Sequence, residues 1–142
     1  MIGKSEKKTI VVIGSSKLGA SIASYNSSRG IYTVIVDKDA SSFKKLDPNF
    51  SGFTVEGNAE EQYVLLKAHV DTAKEVDIVT DNDNTNIFIA CFLVKFYKIP
   101  YINVRLHDTT KSCLLPNEVN IISPYLLSLN LYKELKAKEE DK

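Results

Sequence analysis

Little in this chain can build a covalent or metal-held scaffold. Two cysteines occur, Cys91 and Cys113, in apolar or mixed contexts and with no C-x-x-C pair. Buried thiols of a reducing cytosol are expected, rather than a disulfide or a thiolate metal site. The two histidines, His69 and His107, have no ligand-spaced partner and are expected at the surface or at helix ends. Charge of one sign is also missing, with 18 Lys and Arg against 18 Asp and Glu. Without a basic excess, nothing draws the chain to nucleic acid or to an anionic membrane. Long apolar runs are absent too. The longest, Ile87 to Val94, stops at Lys95, well short of the ~20 residues of a membrane helix. Met1 to Lys8 has lysines but no apolar core, so no signal peptide is expected. The chain reads as one soluble domain of 142 residues, and any membrane link would go through a partner.

What is present is an alternation of apolar strands and amphipathic helices. The run Thr9 to Ile13 stops at Gly14 and reopens as a helix from Leu18 to Ser28. Leu18, Ile22 and Tyr25 fall at helical spacing, with small residues between them that let the helix lie close to a sheet. Ile31 to Val36 is a second strand, Ser41 to Leu46 a short helix, and Phe53 to Glu56 a third strand. Glu60 to Val70 reads as a helix with Tyr63, Leu66, Lys67 and Val70 along one side. Val76 to Thr80, Tyr101 to Arg105 and Asn120 to Ser123 are further strands. Ile87 to Tyr97 is the most apolar helix, a helical turn covers roughly Thr109 to Leu115, and a final helix spans Pro124 to Lys138. Glu139 to Lys142 is a charged tail expected to fray. Continuous apolar strands suit parallel strands covered on both faces. The expected fold is α/β, a Rossmann-type doubly wound parallel sheet of six strands in order 3-2-1-4-5-6, with a C-terminal crossover helix.

Ligands of such sheets sit beyond the carboxyl ends of the strands, at the switch point. Those ends carry Gly14 to Gly19, then Asp37, then Gly57-Asn58-Ala59, then Thr80-Asp81, then Arg105. Gly14 permits a tight turn and Gly19 close packing of helix on strand. Ser16 stands where a dinucleotide fingerprint has its second glycine; its side chain either crowds a pyrophosphate or donates to a phosphate. Lys17 could neutralise a phosphate or simply be solvated. Asp37 stands at the distance beyond the glycine loop where a carboxylate accepts from ribose hydroxyls. Its charge disfavours a 2′-phosphate, an inference that Lys38 next to it softens. Asp81 to Asn86 could suggest a cation site, but it lacks the Gly and closing Glu of a calcium loop. Helix capping by Asp83 or Asn84 is the preferred account. The apolar helix from Ile87 to Tyr97 needs a second cover beyond the sheet. Either the last helix of the same chain or a second subunit could supply it, and the broad apolar surface of the final helix (Leu126, Leu127, Leu129, Leu131, Leu135) favours an oligomer.

In order and over nearly the whole chain, these motifs resemble the TrkA-N, or RCK N-terminal, domain family that regulates potassium transporters and channels. Ile10 to Gly19 resembles its glycine loop, Val34-Ile35-Val36-Asp37 its second strand, and Val55-Glu56-Gly57-Asn58-Ala59 the turn that follows. Val76 to Thr80 with Asp81 to Asn86, Pro100 to Arg105, and Ile121-Ile122-Ser123-Pro124 match its later motifs. The resemblance implies a non-enzymatic, cytoplasmic regulatory subunit that binds NAD(H), ATP or ADP. It implies a membrane potassium transporter or channel subunit as partner, homodimers or larger rings assembled through the final helix, and no direct membrane insertion. On that pattern Gly14, Ser15, Ser16, Lys17 and Leu18 hold phosphates, Asp37 holds the ribose, and Asn58 and Ala59 flank the adenine. Thr80 and Asp81 line the cleft, and Arg105 brings a charge to the ligand or to a neighbouring subunit. Three features depart from the pattern. Ser16 replaces a glycine, Asn58 replaces an aspartate, and many relatives continue into a C-terminal ligand domain, whereas this chain ends after the crossover helix. Two alternatives stand beside this reading: a ligand-free scaffold module of the same assembly, and a small NAD-dependent oxidoreductase, for which no substrate domain remains to supply a proton donor.

Overall fold

The computed structural model describes residues 8–141. The signal-peptide expectation, which concerns Met1 to Lys8, and the last tail residue, Lys142, thus fall outside the described residues except at Lys8. Six strands form one sheet: β1 (Ile10–Ile13), β2 (Thr33–Asp37), β3 (Phe53–Glu56), β4 (Glu75–Ile78), β5 (Tyr101–Arg105) and β6 (Asn120–Ile122). Their order is β3-β2-β1-β4-β5-β6, and every neighbouring pair is parallel. The helices are α1 (Lys17–Ser28), α2 (Gln62–Lys67), α3 (Asp83–Phe96) and α4 (Pro124–Glu140). Three 3-10 segments, Ala40–Lys45, Val70–Thr72 and Thr109–Leu114, complete the connections. This is the doubly wound Rossmann arrangement that the alternation of strands and helices predicts. From β1 the chain steps outward to β2 and β3, then returns to β4 and steps the other way. The crevice therefore opens between the carboxyl ends of β1 and β4.

The sheet's centre is apolar on both sides. Val11, Ile13, Val34, Val36, Val76, Ile78 and Val104 pack with Leu65, Ile89 and Leu93 on one face. Ile10, Val12, Ile35 and Val79 pack with Ala23 on the other, flanked by Leu18 and Ile22. Each such aliphatic side chain contributes about 1.5–3 kcal/mol by burial, which fixes the strand ends that carry the polar residues.

Several local expectations are corrected. In α1 the buried residues are Gly19, Ala20, Ala23 and Ser27, and Tyr25 is exposed. The small residues let α1 approach the sheet, as expected, with Leu18 and Ile22 packed beside them; of the three larger residues only Tyr25 turns outward. The helix expected from Glu60 to Val70 is cut short. His69 takes a left-handed conformation (φ 67) and turns Val70 into the core as a separate 3-10 segment. The inward residues of α2 are Val64 and Leu65, while Tyr63 and Leu66 are exposed. α3 starts earlier than Ile87 because Asn82 caps it, its side chain accepting from the Thr85 amide at 2.9 Å. α4 runs to Glu140, so the helix includes the first residues of the charged tail. The thiols are not deeply buried: Cys91 is half-buried and Cys113 exposed, both free. Cys113 sits on the surface 3-10 segment rather than against the core.

α4 buries none of its residues. It does not cover α3, whose Phe88 and Phe96 remain more than half exposed. Cover by the last helix of the same chain is therefore not what the fold supplies.

Candidate functional site

The glycine loop is shaped by contacts that exclude side chains. Gly14 has φ +103, and a Cβ on it would lie 2.7 Å from the Thr80 amide nitrogen. A Cβ on Gly19 would lie 1.8 Å from the Gly14 carbonyl oxygen. These two positions let β1 turn against the end of β4 and let α1 begin directly over the turn. Ser16, between them, is buried. Its hydroxyl donates to the Val79 carbonyl at 2.8 Å and accepts from the Gly19 amide at 3.1 Å. It thus caps α1 and ties it to β4. Its proton is held by the Val79 carbonyl, so the hydroxyl is engaged within the protein rather than offered to a phosphate. The Ser15 amide donates to Asp37 Oδ2 at 2.8 Å. The amides of Ser16, Lys17 and Leu18 have no acceptor among the described residues. Three successive free N–H groups at the positive end of a helix form an anion cradle.

Asp37 ends β2 beside this cradle. Its second oxygen, Oδ1, accepts from the Asp39 amide at 2.8 Å. Each carboxylate oxygen has two acceptor directions, so capacity remains for hydroxyl donors. At the rim, hydrogen bonds from the Ser41 hydroxyl and amide hold the Asp39 carboxyl below its ordinary range. Asn58 Oδ1 accepts from the Glu60 amide at 2.9 Å and so shapes the turn after β3. Asp37, through its carbonyl, also accepts from the Gly57 amide at 3.0 Å, which joins that turn to the β2 end.

The β4 wall is held from behind. Arg105 is buried, and its Nη2 donates to the Thr80 carbonyl at 2.7 Å and to Asp81 Oδ1 at 2.8 Å. Asn86, fully buried on the first turns of α3, hydrogen-bonds the Thr80 hydroxyl and donates to the carbonyls of Thr80 (3.1 Å) and Arg105 (3.0 Å). Together they pin the ends of β4 and β5. The polar segment is similarly committed: Asp83 accepts from the amides of His107 (2.9 Å) and Asp108 (2.8 Å). The capping role expected of Asp83 or Asn84 falls to Asn82. Among the described residues no group of three or more His, Cys, Asp and Glu is placed to hold a metal ion.

A cleft of about 360 Å³ lies over the switch point. It gathers Gly14, Ser15, Ser16, Asp37, Asn58, Ala59, Thr80 and Asp81 from four separate stretches of sequence. Lys17, Leu18 and Arg105 do not line it. Lys17 is exposed on α1, Leu18 packs on the second core cluster, and Arg105 lies behind the wall. The free amides of the first two lie at the start of α1, next in the chain to the lining residues Gly14, Ser15 and Ser16. The sequence reading missed Ser42 and Lys45, and gave Asn86 no role beyond its place in the Asp81 to Asn86 segment. Asn86 was signalled by a polar residue opening the most apolar helix; Ser42 and Lys45 carried no signal beyond a polar 3-10 segment. Chemically the cleft offers N–H donors for an anion, a carboxylate for hydroxyls and an apolar floor from Ile13, Val36 and Ala59. That set complements a phosphorylated ribose with an attached base. The Tyr-x-x-x-Lys spacings Tyr63/Lys67 and Tyr132/Lys136 stand on exposed faces of α2 and α4 and not in the cleft lining.

The sequence profile of the TrkA-N domain matches residues 10–123. The chain is similar to the Trk system potassium uptake protein TrkA of Streptomyces coelicolor, 26% identical over 103 residues, covering 72% of this chain and 46% of that protein. It is 30% identical over 86 residues to the TrkA homolog of Pyrococcus horikoshii, covering 61% of this chain and 37% of that protein. The chain thus spans less than half the length of these relatives. Among solved structures, the TrkA-N domain of inner membrane protein ybaL from Escherichia coli superposes with a TM-score of 0.78 at 15% identity, covering 93% of this chain and 98% of that one. GsuK bound to ADP superposes at 0.75 with 20% identity, covering 93% and 34%. The GsuK channel bound to NAD superposes at 0.64 with 15% identity, covering 84% and 22%. At these identities the likeness is one of fold.

Proposed function

The chain belongs to the TrkA-N domain family, and on that premise we propose that it is a cytoplasmic regulatory domain of a membrane potassium transport system, binding an adenine nucleotide in the switch-point cleft. The observation that carries this reading is the row of free amides at Ser16, Lys17 and Leu18, on the loop whose Ser15 amide is bonded to a carboxylate, Asp37, at the end of the neighbouring strand. The ligand class is NAD(H), ATP or ADP. The relatives' names, and the ADP and NAD bound to GsuK, support it. No helix among the described residues is long and apolar enough to cross a membrane, so the link to the membrane would run through a transporter or channel subunit. The exposed leucines and tyrosines of α4 would form a homodimer or larger ring. Regulation then follows from differential binding: a nucleotide that favours one subunit arrangement shifts the population towards it.

A second reading has its own observation. The Ser15 amide is already taken by Asp37, and Asn58 brings no charge to the cleft, which favours a scaffold that has lost its ligand. Titration of NAD, NADH, ATP, ADP and AMP by calorimetry and thermal shift separates the two. At 100 times Kd the bound ligand should stabilise the fold by about 2.7 kcal/mol. Asp37→Ala should weaken binding at least about tenfold, the loss of a hydrogen bond to a charged group. Silence with every nucleotide leaves the scaffold; unchanged affinity in Asp37→Ala removes the ribose from that carboxylate.

A further inference from the structure

We propose that Lys45 recognises the ligand's phosphate charge; this deepens the nucleotide reading and rests on it. Lys45 ends the 3-10 segment after β2, and its Nζ donates to the Ser15 carbonyl at 3.1 Å. The same segment is fastened to the same residue by the Ser15 hydroxyl, which donates to the Ser42 carbonyl at 3.0 Å. An ammonium is therefore held over the loop whose next three amides are free. Charge makes the position significant. The described lining of the cleft has four carboxylates, Asp37, Asp39, Glu60 and Asp81, against two cations, Lys38 and Lys45. A phosphate entering an acidic cleft needs a cation beside it. Lys17 stands outside the lining, and Lys45 is the cation already bonded to the loop.

Its present acceptor is a neutral carbonyl. A phosphate oxygen is charged, so there the ammonium gains the attraction of a full opposite charge, which a carbonyl dipole does not supply. On phosphate arrival the ammonium exchanges the Ser15 carbonyl for a phosphate oxygen. Lys45 is exposed, so the exchange needs only rotation of its stem. The cleft should then discriminate phosphorylated from unphosphorylated nucleosides through this side chain.

The test uses the full chain with Lys45→Gln and Lys45→Arg, titrated with adenosine, 5′-AMP, ADP and 2′-AMP at two ionic strengths. Lys45→Gln should weaken binding of the phosphorylated probes about tenfold or more, leave adenosine within twofold, and flatten the salt dependence seen in the parent. Lys45→Arg should retain most of the affinity. A loss greater for 2′-AMP than for 5′-AMP would support the same role and place it at the ribose phosphate. Equal losses for adenosine and AMP would overturn the proposal, since Lys45 would then only be bracing the loop. Unchanged ADP affinity and salt slope in Lys45→Gln would overturn it as well, with the nucleotide site intact. If the parent chain binds none of the probes, the nucleotide reading itself fails, and the role of Lys45 with it.

Discussion

Replacing Ser16 by alanine tests whether this residue belongs to the ligand or to the fold. The hydroxyl makes two bonds, one to the Gly19 amide and one to the Val79 carbonyl. Loss of the cap costs about 1 kcal/mol. The Val79 carbonyl belongs to a residue with 0% exposure, and loss of its donor costs about 1–3 kcal/mol. The two overlap, because one hydroxyl serves both, so a total of about 2 kcal/mol is expected. Unfolding entropy of about 2.1 cal/mol/K per residue, over a chain of this length, converts this to a fall in Tm of about 7 °C. Urea titration should show a lower midpoint with an unchanged m value. Nucleotide affinity, corrected for the unfolded fraction, should stay within about twofold, because the hydroxyl is engaged by Val79 and Gly19. The opposite result would refute the reasoning: stability kept within ~0.5 kcal/mol together with a tenfold loss of affinity would mean that the hydroxyl leaves Val79 to meet the ligand.

Two further outcomes follow from other parts of the fold. Asp77 in β4 is buried and accepts from Asn103 Nδ2 at 2.7 Å; burial first, and the neighbouring Glu75 carboxyl second, push its pKa up to about 8. The folded state therefore binds more protons than the unfolded state between about pH 4 and pH 8, and this group's contribution to stability falls as pH rises through that window. Asp77→Asn should remove the decline, read as the difference in urea midpoint between pH 5 and pH 8; a variant with the parent's slope would show that another group titrates. On α4, Leu127 and Leu131 are 61% and 56% exposed, so glutamate at both should change the stability of an isolated subunit by less than about 0.5 kcal/mol each while dissociating an assembly built on that helix. Light scattering should report a dimer or larger for the parent and a monomer for the double variant, and a monomeric parent at high concentration would contradict the assembly.

Much of the fold was legible because it depends on patterns carried locally. Apolar β-branched runs marked the strands, and their alternation with helices left right-handed crossovers little choice but the observed sheet order. Gly14 and Gly19 were legible as turn and close-approach positions. Boundaries were less so. The left-handed turn at His69 that ends α2 early has no glycine to announce it, and the choice of Asn82 over Asp83 as cap depends on Asp83 being drawn to the amides of His107 and Asp108. In α1 the expected Leu18 and Ile22 pack on the core but Tyr25 does not, and in α2 Val64 and Leu65 turn inward in place of Tyr63 and Leu66. The cleft's outline was legible from strand ends alone; the state of each side chain in it was not.

The sequence by itself determined the doubly wound sheet, the switch point between β1 and β4, and the presence of a glycine loop and an acidic residue on its two sides. These follow from hydrophobic period and from backbone conformations that only certain residues adopt. The tertiary structure decided which polar groups remain available. Parallel pairing brings the end of β4 against the loop after β1, so Ser16 finds a partner at Val79, 63 residues away. Arg105 is spent on Thr80 and Asp81, and Lys45 is carried to the Ser15 carbonyl. Hydrogen-bond partners distant in sequence are set by how the strand ends and loops meet in space, which no local pattern encodes, and they determine which donors are left to meet a ligand.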